Sequence, residues 1–137
     1  MNPYETFDHE ADIGIRGYGK TLEEAFAHGA EALFSLMVEI DTVQPNVRKE
    51  MVCDAPDPET LFVEWLNHLI ALSHLEGMVF SRFRTEITGL KLRGEAWGEP
   101  LDKERHHPMS EVKAATYCML KIYQEGDRHV AQCVVDV

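Results

Sequence analysis

Three acidic side chains and an imidazole crowd into Phe7-Asp8-His9-Glu10-Ala11-Asp12-Ile13, between two runs that read as strands. Acidic residues are poor strand formers, so folding alone would not select them there. At the far end, Asp136 interrupts the apolar run Val134-Val135-Asp136-Val137. A carboxylate in such a run needs a partner, because burying an unpaired charge is costly. This end supplies two carboxylates, the Asp136 side chain and the group carried by Val137. If Asp12 came beside them, three negative groups would repel one another unless a cation sat between. Oxygen-only ligands select a hard divalent cation, Mg²⁺, Ca²⁺ or Mn²⁺. A plainer reading has Asp12 capping a turn and Asp136 facing water, and spacing alone favours it. Lys113, in Glu111-Val112-Lys113-Ala114-Ala115-Thr116-Tyr117, is either a solvent-facing lysine or a cation reaching a phosphate or the acidic cluster. His107 is a ligand or phosphate contact on the first view and plain surface on the second.

These residues need elements to hold them. Tyr4 to His9 is expected as one strand, and Ile13, Ile15 and Gly17 alternate with Gly14, Arg16 and Tyr18 in a second. Thr21 and Glu24 form a capping box opening a helix. Its buried face is Leu22, Ala25, Phe26, Gly29, Leu33, Leu36 and Met37. A third strand is expected over 47–54. Asp57 and Pro58 start a second helix that Gly77 ends. Its buried face is Phe62, Trp65, Leu66, Leu69 and Leu72/Ser73, with Glu64 and Asn67 left to solvent. Phe83, Thr85 and Ile87 then alternate with charged residues, and Thr88-Gly89 turns into a partner strand over 90–97. A polar loop over 98–111 follows, then a strand over 112–123, a turn at Glu125-Gly126-Asp127 and a last strand over 128–137. The order ββαβαββ-loop-ββ predicts an α+β fold, a largely antiparallel or mixed sheet with two helices packed on it.

At 137 residues the chain is expected to form one domain, residues 1–137. Lys and Arg number 13 against 24 Asp and Glu, a formal charge of −11. That balance opposes direct nucleic-acid binding, which Lys and Arg lead, and favours cations or a basic partner. No apolar run approaches the ~20 residues that span a bilayer, and no basic head precedes an apolar leader. Cys53, Cys118 and Cys133 form no CxxC pair, so reduced thiols in the cytoplasm are expected. There is no GxGxxG, Walker-type loop, GxSxG elbow or HExxH.

Phe7-Asp8-His9-Glu10-Ala11-Asp12-Ile13-Gly14 resembles the opening motif of the archease family, in which the position of Glu10 is usually Thr. The resemblance continues through Gly19-Lys20-Thr21-Leu22-Glu23-Glu24-Ala25-Phe26, Leu61-Phe62-Val63-Glu64-Trp65-Leu66-Asn67 and Glu111-Val112-Lys113-Ala114-Ala115-Thr116-Tyr117. It closes on Val135-Asp136-Val137, so the blocks span nearly the whole chain in order. Archeases are small accessory proteins of the GTP-dependent, RtcB-type RNA-splicing ligase, which joins RNA ends through its own guanylylated histidine. The resemblance implies a non-catalytic activator of ligase guanylylation and turnover. It also implies one divalent cation held by Asp12, Asp136 and Val137, a functional role for Lys113, and lesser roles for His9 and His107. Two departures stand out. Glu10 adds negative charge beside the site, and Cys118 stands where many relatives carry His. The rival readings are a stand-alone metal-dependent hydrolase or phosphotransferase, which needs a base or second metal beside Asp12, and a chaperone-like binding module, which needs an exposed apolar patch.

Overall fold

The computed structural model describes residues 2–137. β1 (Tyr4–His9) and β2 (Asp12–Gly19) form an antiparallel hairpin in which His9 pairs with Asp12. Its turn is Glu10-Ala11, with Glu10 in the left-handed region at φ 54°. Thr21 then caps α1 (Leu22–Met37), its side chain accepting from Glu24 N at 3.1 Å. A 3-10 turn (Ile40–Thr42) leads to β3 (Val47–Asp54). Asp57 caps α2 (Pro58–Glu76) by accepting from Thr60 N at 2.7 Å, and Gly77 ends it in the left-handed region. β4 (Met78–Thr88) and β5 (Lys91–Pro100) form a second hairpin. These elements follow the caps and the alternation of the sequence.

The strands divide into two antiparallel sheets. One has the order β3-β5-β4. The other is built on β8 (Arg128–Asp136), which pairs with β2 on one side. On its other side it pairs in succession with β6 (Ala114–Ala115) and β7 (Lys121–Glu125). The class is therefore α+β, as the element order predicts, with the strands shared between two sheets.

α1 packs against β2 and β8 of one sheet and β4 of the other. This explains why its buried surface exceeds one amphipathic stripe: Ala27, Ala30, Ala32 and Phe34 are buried as well. Small residues bring the layers close. A Cβ on Gly17 would meet Ala25 O at 2.1 Å and Gly29 N at 2.3 Å, so β2 and α1 touch backbone to backbone. Trp65 of α2 donates its indole N–H to Phe26 O of α1 at 3.0 Å, and the Phe26 and Phe62 rings lie 5.0 Å apart. The two helices are thereby locked into one core.

Two expectations change. The strand expected over 112–123 is broken into β6 and β7. Ala115 pairs with Val135 and Lys121 with Gln132, so β8 moves three residues while the facing chain moves six. The surplus is taken up by a protrusion over 116–120, with Met119 at φ 52°. Val134 holds the protrusion's base: its N donates to Cys118 O, and its O accepts from Thr116 N and Oγ1. The polar loop over 98–111 is also shorter than expected. β5 runs on to Pro100, and a four-residue helix α3 (Lys103–His106) follows, with Asp102 accepting from the Glu104 and Arg105 amides.

Candidate metal centre

The β1–β2 turn and the end of β8 meet at one end of the first sheet. Ile13 pairs with Val135, so the next position in register sets Asp12 opposite Asp136. Residues opposite one another on antiparallel strands carry their Cβ atoms about 4.5–5.5 Å apart, and like charges there repel. Asp12 Oδ1 lies 3.4 Å from Val137 N, a long hydrogen bond that turns its carboxylate toward the end of β8. Across β1, His9 pairs with Asp12; across β6, Ala114 pairs with Asp136. Four strands therefore place His9, Asp12, Asp136 and the neighbourhood of Lys113 in one row.

Lys113 precedes β6, and its backbone N donates to Asp136 O at 2.8 Å. The lysine is exposed while its neighbour Val112 is fully buried, so the chain turns its charge outward here. Asp12, Asp136, Val137 and His9 are half-buried. Asp12, Asp136 and Lys113 make no ion pair among the described residues. Two facing carboxylates without a countercharge fit a hard cation, which oxygen donors select. No group of three or more His, Cys, Asp or Glu side chains converges among the described residues.

β6 has only two residues and would be a weak platform without help. Asn67 of α2 supplies it: its Oδ1 accepts from Ala115 N at 2.8 Å and its Nδ2 donates to Ala115 O at 3.3 Å. The amide thus imitates a further strand and fixes the chain two residues after Lys113. Asn67 was expected to face solvent, and the polar type of a residue just off the buried stripe was the signal for a partner.

His107 stands elsewhere. It is exposed, at φ 50°, and its Nδ1 lies 2.9 Å from Glu39 Oε2. No hydrogen bond joins it to Asp12 or Asp136 among the described residues. The sequence also concealed a buried cluster beside it. Glu99 accepts from Arg105 Nη1 and Nη2 at 2.7 and 2.9 Å, from Gln44 N at 2.7 Å and from His106 Nε2 at 2.9 Å. His106 Nδ1 accepts from Asp102 N at 2.9 Å, so the ring is held as the tautomer protonated at Nε2. The Arg105 guanidinium, with the Gln44 amide and His106, holds the Glu99 carboxyl down to about 2. This clasp fastens a strap, residues 101–113, that leads to Lys113. Further along, Met109 N and Ser110 N donate to Met37 O and Leu36 O, satisfying the last carbonyls of α1.

Comparison with known proteins agrees with this architecture. Residues 4–137 match the model of the Archease protein family (MTH1598/TM1083). The chain is 42% identical to "Protein archease" of Pyrococcus abyssi and 40% identical to that of Sulfurisphaera tokodaii, covering all of each. The solution structure of Methanobacterium thermoautotrophicum protein 1598 superposes with a TM-score of 0.88 at 31% identity over the whole of both chains. The crystal structure of a Thermotoga maritima archease, described there as a possible chaperone, shares the fold. It has a TM-score of 0.59 and 23% identity, over 97% of this chain and 96% of the other.

Proposed function

The chain belongs to the archease family, and from that membership we propose that it is a metal-binding accessory protein of a GTP-dependent RNA ligase of the RtcB type. It acts without catalysing the joining itself, by promoting guanylylation and turnover of the ligase. The observation that carries the reading is the register that sets Asp12 opposite Asp136, with Lys113 anchored to the backbone of Asp136. In this reading Asp12, Asp136 and Val137 hold one divalent cation, Ca²⁺, Mg²⁺ or Mn²⁺, which neutralises the facing carboxylates and offers a Lewis-acidic face to a phosphate. Lys113 is exposed beside them and contributes a positive charge to the same end. His9 shares the row across β1. His107, tied to Glu39, serves a contact with the ligase away from the cation.

Among the described residues no helix is long and apolar enough to cross a membrane, and the acidic balance does not favour an RNA-binding surface of its own. The reading is tested with a purified RtcB-type ligase. Guanylylation and multiple-turnover joining of RNA ends are measured with and without this protein. Faster guanylylation and repeated turnovers in its presence are expected. A ligase that turns over equally well alone refutes the proposal.

A further inference from the structure

The sheet β3-β5-β4 keeps one face open to water. Arg48, Glu50, Val52 and Asp54 of β3 and Arg82, Arg84, Glu86 and Thr88 of β4 are all exposed on it. Register sets Arg48, Trp97 and Arg82 in one row across the strands, with Glu50, Glu95 and Arg84 in the next. Four of the seven arginines of a chain that carries −11 stand on this face: Arg48, Arg82, Arg84 and Arg93.

Two of the four are committed within the face. Arg48 donates to Glu95 and Glu50, and Arg93 donates to Glu50. The other two are available. Arg82 makes no ion pair among the described residues, and its guanidinium lies 5.8 Å from the centre of the Trp97 ring. Arg84 meets Glu86 at 3.5 Å, with the two side chains 65% and 62% exposed, so water competes for the pair. Arg82, Phe83, Arg84 and Trp97 line an open cavity of about 420 Å³, and no carboxylate is among its lining residues.

A β-bulge sets this arrangement. Phe80 pairs with Gly98 and Arg82 with Trp97, which leaves Ser81 as an extra residue, anchored by its Oγ donating to Val43 O at 2.9 Å. Without the bulge Ser81 would stand opposite Trp97 and Arg82 would point into the core. Bulges recur beside functional sites, where they re-aim a side chain. An indole face takes a flat aromatic ring by stacking, and two guanidiniums without firm partners take a phosphate. Residues i and i+2 of a strand stand about 6.6 Å apart on one side of the sheet. A base on Trp97 and a phosphate between Arg82 and Arg84 therefore fit one nucleotide. A net charge of −11 repels a long polyanion, whereas a single nucleotide meets only the local field of the two arginines.

We propose that Trp97, Arg82 and Arg84 form a binding site for a mononucleotide, its base stacked on the indole and its phosphate held by the two guanidiniums. The site lies on the sheet that does not carry Asp12 and Asp136, and it stands independently of the cation.

The test is a proton–nitrogen NMR titration of the full-length protein with adenosine 5′-monophosphate, adenosine, inorganic phosphate and a single-stranded RNA decamer. The nucleotide is expected to shift the Trp97 indole N–H, while that of Trp65, buried and donating to Phe26 O, stays in place. It should bind at least about tenfold more tightly than adenosine or phosphate, because only the nucleotide uses both halves of the site. The double variant Arg82→Gln, Arg84→Gln should weaken it by about tenfold or more. Its melting temperature should be unchanged, because both side chains are exposed. Lys20→Gln with Lys121→Gln removes the same charge from exposed positions elsewhere and should leave binding as it was. Equal losses in the two double variants overturn the proposal, as does a nucleotide no tighter than phosphate or an unmoved Trp97 signal. A decamer that binds far more tightly than ten single nucleotides account for also overturns it, since the face would then hold a strand.

Discussion

Glu99→Gln is the perturbation that most sharply separates a functional clasp from ornament. The glutamate meets four donors, and a glutamine in its place offers one carbonyl oxygen and turns an amide N–H₂ toward groups that are themselves donors. Arg105 is exposed, so solvent screens its pairing and its share of the loss is small. His106 is fully buried, and leaving its Nε2–H or the Gln44 amide unpaired costs about 1–3 kcal/mol. The expected loss is on the order of 2–4 kcal/mol, a fall of roughly 10 °C in melting temperature for a domain of this size. The sign of the pH dependence follows from the carboxyl's depression. Its ordinary value is 4.5 and the fold holds it at about 2. The stabilisation is therefore complete above about 4.5 and is lost as pH falls from there toward about 2. Scanning calorimetry of both proteins should show a gap in stability that is constant from neutral pH to about 4.5 and then narrows. Other depressed carboxylates, such as Glu5 and Asp57, titrate alike in both proteins and cancel in the difference. A gap that stays constant below pH 4, or no gap at all, refutes the reasoning.

Lys113→Ala should shift unfolding by less than about 0.5 kcal/mol, because the exposed side chain makes no ion pair among the described residues, yet it should lower ligase stimulation in a turnover assay. Asn67→Ala removes both bonds to Ala115 and should cost about 1–2 kcal/mol, with faster hydrogen exchange at the Ala115 amide while the β2–β8 amides keep their protection.

Local signals marked out much of this fold because local chemistry decides it. Thr21, Asp57 and Gly77 end their helices where capping requires, and the alternation through Phe83, Thr85 and Ile87 is the alternation of burial. Spacing alone did not bring Asp12 to Asp136; the register of β2 on β8, which pairs Ile13 with Val135, is a long-range feature. What stayed hidden depends on partners far along the chain. The sequence over 112–123 holds no Gly, Pro, Asn or Asp to mark a break, and the one at Thr116 to Leu120 arises because β8 offers fewer residues than the facing chain brings. The breadth of the buried surface of α1 comes from its place between two sheets, which no single-helix pattern encodes. The cluster of Glu99, Arg105 and His106 reads as a polar loop because charged residues are usually exposed. Only mutual satisfaction lets Glu99 and His106 go under, with the exposed Arg105 capping them. Asn67 escaped for the same reason, as its partner lies 48 residues away.

The central claim is that Asp12 and Asp136 face each other to hold one hard divalent cation, and calorimetric titration tests it most directly. Mg²⁺, Mn²⁺ and Ca²⁺ are titrated into the wild-type protein and into Asp12→Asn and Asp136→Asn, which keep the side-chain shape and remove the charge. The account predicts one site per chain in the wild type. At a free-cation concentration of a hundred times Kd, binding should raise stability by about 2.7 kcal/mol, and both variants should lose this increment. Unchanged affinity in either variant, or no binding of any of the three cations by the wild-type protein, would contradict it.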